Sequence, residues 1–312
     1  MSDDQPLLLF DVDGVLLKED GYYRTLALTC AQFYRRRCGE LGIAVHESLA
    51  GRVSTLAEVD ELKRVFLPTP VLSLLRARAI NSNWDKTYAI VLGLLALTQE
   101  DLTSTTIPAA LIRHLGAVAG QGQAYLQALR QIGESHAKLF QDVYEVFQQI
   151  HLGPWSGVDF LAQGMLAHDE ATVDAAALRS LLASLRERGC CLGIGTGRPR
   201  LEVEVPFRGM GFWSFFDEKR VVTVDEVRAR ERERGLAPFA LAKPHPFTYQ
   251  TGADGVPLEQ VYVIGDSMSD ALAAEAAGYH FIGVGGDADF AATLRPSFAV
   301  VSDVLALWEL LG

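Results

Sequence analysis

The chain has 312 residues, 49% of them hydrophobic and 21% charged, enough for one large domain or for a core domain with a smaller companion. Lys and Arg number 28 against 39 Asp and Glu, a net charge of −11, which argues against the basic face that a nucleic-acid backbone requires. A local basic pocket for a small anion remains open to it.

The acidic start, MSDDQP, has neither the basic nor the apolar region of a signal peptide. The most apolar run, AIVLGLLAL over residues 89–97, is too short to span a bilayer. Cys30, Cys38, Cys190 and Cys191 lack CxxC spacing and read as buried free thiols. Together these features predict a cytoplasmic protein that engages neither membrane nor nucleic acid.

In chain order, LLLF at 7–10 is short and wholly apolar and stops on Asp11, Asp13 and Gly14, the pattern of a buried strand. From about residue 20 to 150 strand-like runs give way to helical patterns: YYRTLALTCAQFYRRRC, LAEVDELKRVF, TYAIVLGLLALT, AALIRHLGAVA and HAKLFQDVYEVFQQIH. Pro68, Pro70, Pro108, Pro154 and several glycines separate them. DAAALRSLLASLRER, at 174–188, is an amphipathic helix stopped by Gly189. CCLGIGTGRP then gives a second buried strand running into a Gly-rich loop.

VVTVDEV (221–227) reads as a third strand and turn, and RARERERG (228–235) as a solvated helical surface. VYVIGD, the helix SDALAAEAAG, the strand FIGVGG, and finally FAVVSD with VLALWELL complete the alternation. Alternating strands and helices predict an α/β fold: a Rossmann-like parallel sheet in a three-layer α/β/α core, with an all-helical cap inserted after the first strand. Residues 1–18 and 170–312 would form the core and 19–169 the cap.

The first strand poses a chemical question. Residues i and i+2 of a strand share a face, so Asp11 and Asp13 would point into one cleft, where two carboxylates repel each other without a cation. Ligands of open parallel sheets bind at the strands' carboxyl ends. That edge would collect Thr196 after the second strand, and Asp266 and Asp270 after VYVIG, with Lys243 of AKPHP nearby. Carboxylates without Cys or His ligands suit a hard divalent ion, Mg2+ ahead of Zn2+. A hydroxyl and an ammonium beside them suit phosphoryl oxygens.

In this order, LLLFDVDGVLL, GIGTGRP, AKPHP and VIGDSMSD resemble the four motifs of the haloacid dehalogenase-like (HAD) hydrolase superfamily, over residues 7–17 and about 174–290. The helical block resembles the cap of its phosphoglycolate phosphatase-like branch, although it is much longer than a compact cap. The resemblance implies that Asp11 attacks phosphorus to form an aspartyl-phosphate and that Asp13 serves as general acid and then base. It implies that Thr196 and Lys243 hold the phosphoryl oxygens. It also implies Mg2+ at the Asp11 carboxylate, the Asp13 carbonyl and Asp266, with Asp270 orienting the metal's waters or Lys243.

The implied activity is a Mg2+-dependent phosphatase of a small phosphorylated metabolite, working as a monomer or homodimer. A phosphomutase of the same superfamily needs the same residues, and a binding protein that kept the fold without the reaction is a third reading. A dehalogenase fits less well, since a leaving halide needs no proton from Asp13.

Substrate contacts are sought in two places. Gly197 and Arg198 follow Thr196; Arg198 reads equally as a solvated loop residue, whereas Thr196 could cap the next helix but by its place at a strand end reads as a phosphate contact. In the cap, NSNWDKT (81–87) sets polar residues around a tryptophan before an apolar helix. Either Asn83, Trp84, Asp85 and Thr87 select the leaving group, or Asp85 or Ser82 caps the helix while Trp84 packs as a staple. Arg35, Arg36 and Arg37 read as a solvated helix face.

Overall fold

The computed structural model describes residues 5–46, 49, 53–78, 80, 82–98, 102, 105–132, 138–153, 163–237, 239–285 and 299–311. Residues 1–4, Asn81, His136, Ala137, Pro154, Gly286 and Phe298, all drawn on above, lie outside these. The chain divides into two compact units, Met1–Glu19 with Asp169–Gly312, and Asp20–His168.

The first unit is built on parallel strands β1 (Leu7–Phe10), β2 (Cys191–Gly195), β3 (Val221–Val222), β4 (Val261–Gly265), β5 (His280–Val284) and β6 (Ala299–Val301). They lie in the order β3-β2-β1-β4-β5-β6, each pair parallel. The order reverses at β1, which sits between β2 and β4. In open α/β sheets the crevice at such a reversal is where ligands bind.

Alternation sorts the strand residues onto two faces. Leu8, Phe10, Ile194, Ile264 and Ile282 pack with Leu178, Leu182 and Phe207 on one side. Leu7, Leu9, Val261, Val263 and Phe281 pack with Tyr249, Ala271 and Ala274 on the other. Both faces are covered by helices, which explains why these strands are apolar throughout rather than alternating. The result is the three-layer α/β/α core that the pattern predicts. Each fully buried Leu, Ile or Phe contributes about 1.5–3 kcal/mol.

The second unit is helical: α1 (Asp20–Glu40), α2 (Leu56–Phe66), α3 (Thr69–Ala77), α4 (Asn83–Leu95), α5 (Ile107–Gly116), α6 (Gly122–Ile132) and α7 (Leu139–Leu152). Helix α1 packs against α2, α4 and α7. It is buried almost all round, as in a central helix. Two of these helices are absent from the pattern reading. Pro70, taken there as a separator, lies in the first turn of α3, where a missing N–H costs nothing. The other, α6, buries Tyr125, Leu126 and Leu129 at helical spacing, a pattern that the reading above does not pick out. Among the three arginines of α1, Arg36 and Arg37 pair with Glu40.

Helices α8 (Ala175–Glu187), α9 (Arg200–Met210), α10 (Val224–Arg234), α11 (Phe247–Gly252) and α12 (Met268–Ala277) belong to the first unit. Two expectations need correction here. Only Val221 and Val222 of VVTVDEV are strand; Thr223 and Glu226 form a capping box that starts α10 at once. Nor is the charged stretch wholly solvated. Glu231 is buried because its two oxygens accept the backbone N–H groups of Phe239 and Leu241, at 3.0 and 2.8 Å, and so anchor the loop that leads to Lys243. No helix of the described residues is long and apolar enough to cross a membrane.

Candidate active site

The first unit's candidate site is assembled from ends of strands. Phe10 is level with Ile194 on β2 and Ile264 on β4, so Asp11 leaves the sheet between Gly195 and Gly265. Its N–H donates to the Ile264 carbonyl at 2.8 Å, extending the ladder by one residue. Gly195 has a steric reason to be glycine: a Cβ there would lie 2.5 Å from the Tyr249 ring. Gly14 has two. Its φ is +73°, and a Cβ would meet the Asp266 carboxylate at 1.9 Å. The turn after β1 is therefore shaped to admit Asp266.

Around Asp11 the polar contacts are dense. Lys243 Nζ lies 3.0 Å from Asp11 Oδ1 and 2.6 Å from Asp270 Oδ1, and it donates to the Gly195 carbonyl at 3.3 Å. The Tyr249 hydroxyl donates to the same Asp270 oxygen at 2.7 Å. Ser267, the N-cap of α12, donates to Asp270 Oδ2 and accepts from the Asp270 N–H. Asp270 is wholly buried and held on three sides, so it acts first on Lys243. Tyr249 and Ser267 were not singled out in the sequence. Tyr249 follows Pro246 on α11 with no pattern to mark it, and only the fold carries it beneath Gly195.

Asp11, Asp266 and Asp270 each offer a carboxylate oxygen, all within 4.8 Å of one another. These carboxyls outnumber the Lys243 ammonium beside them, and the surplus charge shows in the proton affinities of Asp11 and Asp266. Burial pushes the Asp11 carboxyl well above the ordinary range; Lys243 opposes this, while Asp270, Asp266 and Asp13 add to it. Asp266, exposed at the rim, is pushed up to about 7 by partial burial and then by Asp270. Burial alone would lower Lys243, but Asp11 and Asp270 outweigh it and hold the ammonium above its usual value. An all-oxygen donor set with uncompensated negative charge suits a hard divalent cation.

Asp13 is turned to a different partner. Its Oδ1 accepts from Arg198 Nε at 3.0 Å and Nη2 at 2.6 Å. Arg198 Nη1 donates to Asp169 Oδ2 at 2.6 Å and to the Glu202 carbonyl at 3.1 Å. The side chains of Arg198 and Asp169 are 1% and 0% exposed. The reading of Arg198 as a solvated loop residue is thus corrected: two carboxylates draw it inside, and it faces them rather than open solvent. Asp169, 158 residues downstream of Asp11 in the sequence, carries no local signal that could have marked it.

Thr196 is buried, and its hydroxyl accepts the Arg198 N–H at 3.2 Å. It does not cap the next helix, whose N-cap is Pro199. Gly197 is exposed in the same loop. Asn83, Trp84 and Asp85 belong to the helical unit. There Ser82 caps α4 by accepting the Asp85 N–H. Trp84 packs on Tyr144, with ring centres 5.6 Å apart, and Asn83 accepts from Lys86 at 3.2 Å. Burial raises the Asp85 carboxyl.

Comparison with known proteins adds the following. The family described as haloacid dehalogenase-like hydrolase matches residues 6–278. No curated protein matches the chain. An X-ray structure from the Northeast Structural Genomics Consortium is similar over 98% of both chains, with a TM-score of 0.79 and 22% identity. A phosphatase from Thermococcus thioreducens is similar over 95% of this chain and 91% of its own, with a TM-score of 0.52 and 20% identity. At such identities the likeness is one of fold.

Proposed function

Because the chain belongs to the haloacid dehalogenase-like hydrolases, we propose that it is a Mg2+-dependent phosphatase that acts on a small phosphorylated metabolite through an aspartyl-phosphate on Asp11. The observation that carries this reading is the setting of Asp11. It lies at the sheet's reversal point with Lys243 at 3.0 Å and two more carboxyls close by. Asp11 is only 7% exposed, so an electrophile has to project into the cleft, as the phosphoryl end of a small monoester can.

In the proposed reaction an Asp11 oxygen attacks phosphorus as the ester P–O bond breaks, and the leaving oxygen takes a proton from Asp13. Water then attacks the phosphorus, giving its proton back to Asp13 and freeing Asp11. Lys243 and the Thr196 hydroxyl hold the phosphoryl oxygens, and Asp270 with Tyr249 keeps Lys243 in place. Asp11 and Asp266 would hold Mg2+, which would supply positive charge to offset the charge gathered on the phosphoryl group. The test is release of inorganic phosphate from an aryl phosphate and from a panel of phosphorylated metabolites, with and without Mg2+. Activity that survives complete chelation, or none on any ester, overturns the proposal. Isomer formation without phosphate release would point to a phosphomutase instead.

The same reading predicts linkage between metal and protons. Asp266, at about 7 without an ion, is protonated below neutrality, and a cation must displace that proton to bind. Apparent Mg2+ affinity should therefore rise as pH climbs through about 7, with protons released on binding. Titration calorimetry in buffers of different ionisation heat measures both. Affinity independent of pH, with no proton release, would contradict the assigned ligand.

A further inference from the structure

The Arg198 cluster is larger than the proposed chemistry needs. Asp13 lies on the segment by which the chain leaves β1, and Asp169 is where it re-enters the first unit. These two segments are paired. Lys18 N–H donates to the Glu170 carbonyl at 2.9 Å, Thr172 N–H to the Leu16 carbonyl at 3.1 Å, and Leu17 bridges Ala171 in antiparallel fashion. The Thr172 hydroxyl donates to the Val15 carbonyl at 2.7 Å, and Lys18 pairs with Glu170 at 2.9 Å. Arg198 enters from the loop after β2 and ties one acid of each segment.

We propose that Asp169 is a positioning residue for the reaction: through the buried Arg198 it fixes the orientation of Asp13. The inference rests on the reading of Asp13 as the group that protonates the leaving oxygen. Arg198 places both of its donors to Asp13 on Oδ1, so Oδ2 is the oxygen left to carry that proton. Arg198 alone could swing with Asp13 as a unit. Its Nη1, however, is fixed by Asp169 and by the Glu202 carbonyl, and a guanidinium is planar and rigid. The position of the returning segment thereby sets where Asp13 Oδ2 lies. Asp169 touches neither substrate nor metal in this scheme, so it acts on catalysis only through Arg198.

A positioning role makes a prediction that a merely structural role does not. Breakage of the P–O bond needs a proton donor when the leaving group is basic and hardly needs one when it is not. The test compares the pre-steady-state burst of phenol from phenyl phosphate and of dinitrophenol from dinitrophenyl phosphate, because the burst isolates the first transfer step. Asp169→Asn should slow the phenyl phosphate burst by about 10²-fold, the lower range for general acid catalysis, and leave the dinitrophenyl burst nearly unchanged. Arg198→Lys, which cannot reach both acids through a rigid fork, should show the same split. Melting curves of both variants confirm that folded protein is assayed. Asp13→Asn is the reference. If it shows the split and both other variants slow the two esters equally, or not at all, the tie through Asp169 is refuted while Asp13 stands. If Asp13→Asn shows no split, the reading of Asp13 fails, and the tie falls with it.

Discussion

Asp11→Asn is expected to lower turnover by ~10³-fold or more, the scale on which removal of a covalent nucleophile acts. The substitution keeps the shape of the side chain and replaces the carboxylate proposed to attack phosphorus with a neutral amide. An amide is not a nucleophile of comparable strength, and Asp270 cannot take over, because it is buried beneath Lys243, Tyr249 and Ser267. Lys243 loses one of two anionic partners yet keeps Asp270 at 2.6 Å and the Gly195 carbonyl, so the local structure should persist. Phosphate release measured beside thermal melting tests both halves. A variant within tenfold of wild type would remove Asp11 from the role.

Arg198→Ala has the largest expected effect on stability, a loss of about 3–5 kcal/mol. The ion cluster as a whole is no argument for stability, because desolvation of three charged groups offsets much of their attraction. Removal of the cation alone is different. It strands Asp169, whose side chain is 0% exposed, and Asp13, at 28%, without their shared partner. It also opens a cavity where one of the largest fully buried side chains had been. Urea denaturation should show the loss, and adding Asp169→Asn to the Arg198→Ala background should recover part of it, because the stranded charge is then gone. Independent, additive effects in that cycle would mean that the two side chains do not interact.

These two expectations differ in how much the sequence foretells them. The proposed nucleophile is legible in one dimension. An apolar strand that ends in DVDG, and two further polar clusters at the ends of β2 and β4, follow from two periodicities and from the rule that parallel strands present their carboxyl ends together, whereas Lys243 lies in the loop between α10 and α11. The motifs are local, so their order along the chain suffices to resemble a known family, and the family match covers residues 6–278. The helical block is legible for a related reason, since apolar residues at helical spacing report burial without knowledge of what buries them. It is least legible where composition misleads, as at Pro70, a helix-starting residue that reads as a break.

What the sequence determined, then, is the alternation of the core and the helical insert, and it singled out Asp11, Asp266 and Asp270 by spacing within a few residues and Lys243 by its flanking prolines and the order of the motifs. Tertiary structure alone decided the partners. Tyr249 lies under Gly195, Glu231 anchors the loop before Lys243, and Arg198 joins Asp13 to Asp169. A buried charge takes its partner from wherever the fold brings an opposite charge into the same low-dielectric space. Distance along the chain carries no information about that meeting, which is why the sequence places Arg198 in a loop and the structure encloses it between two acids.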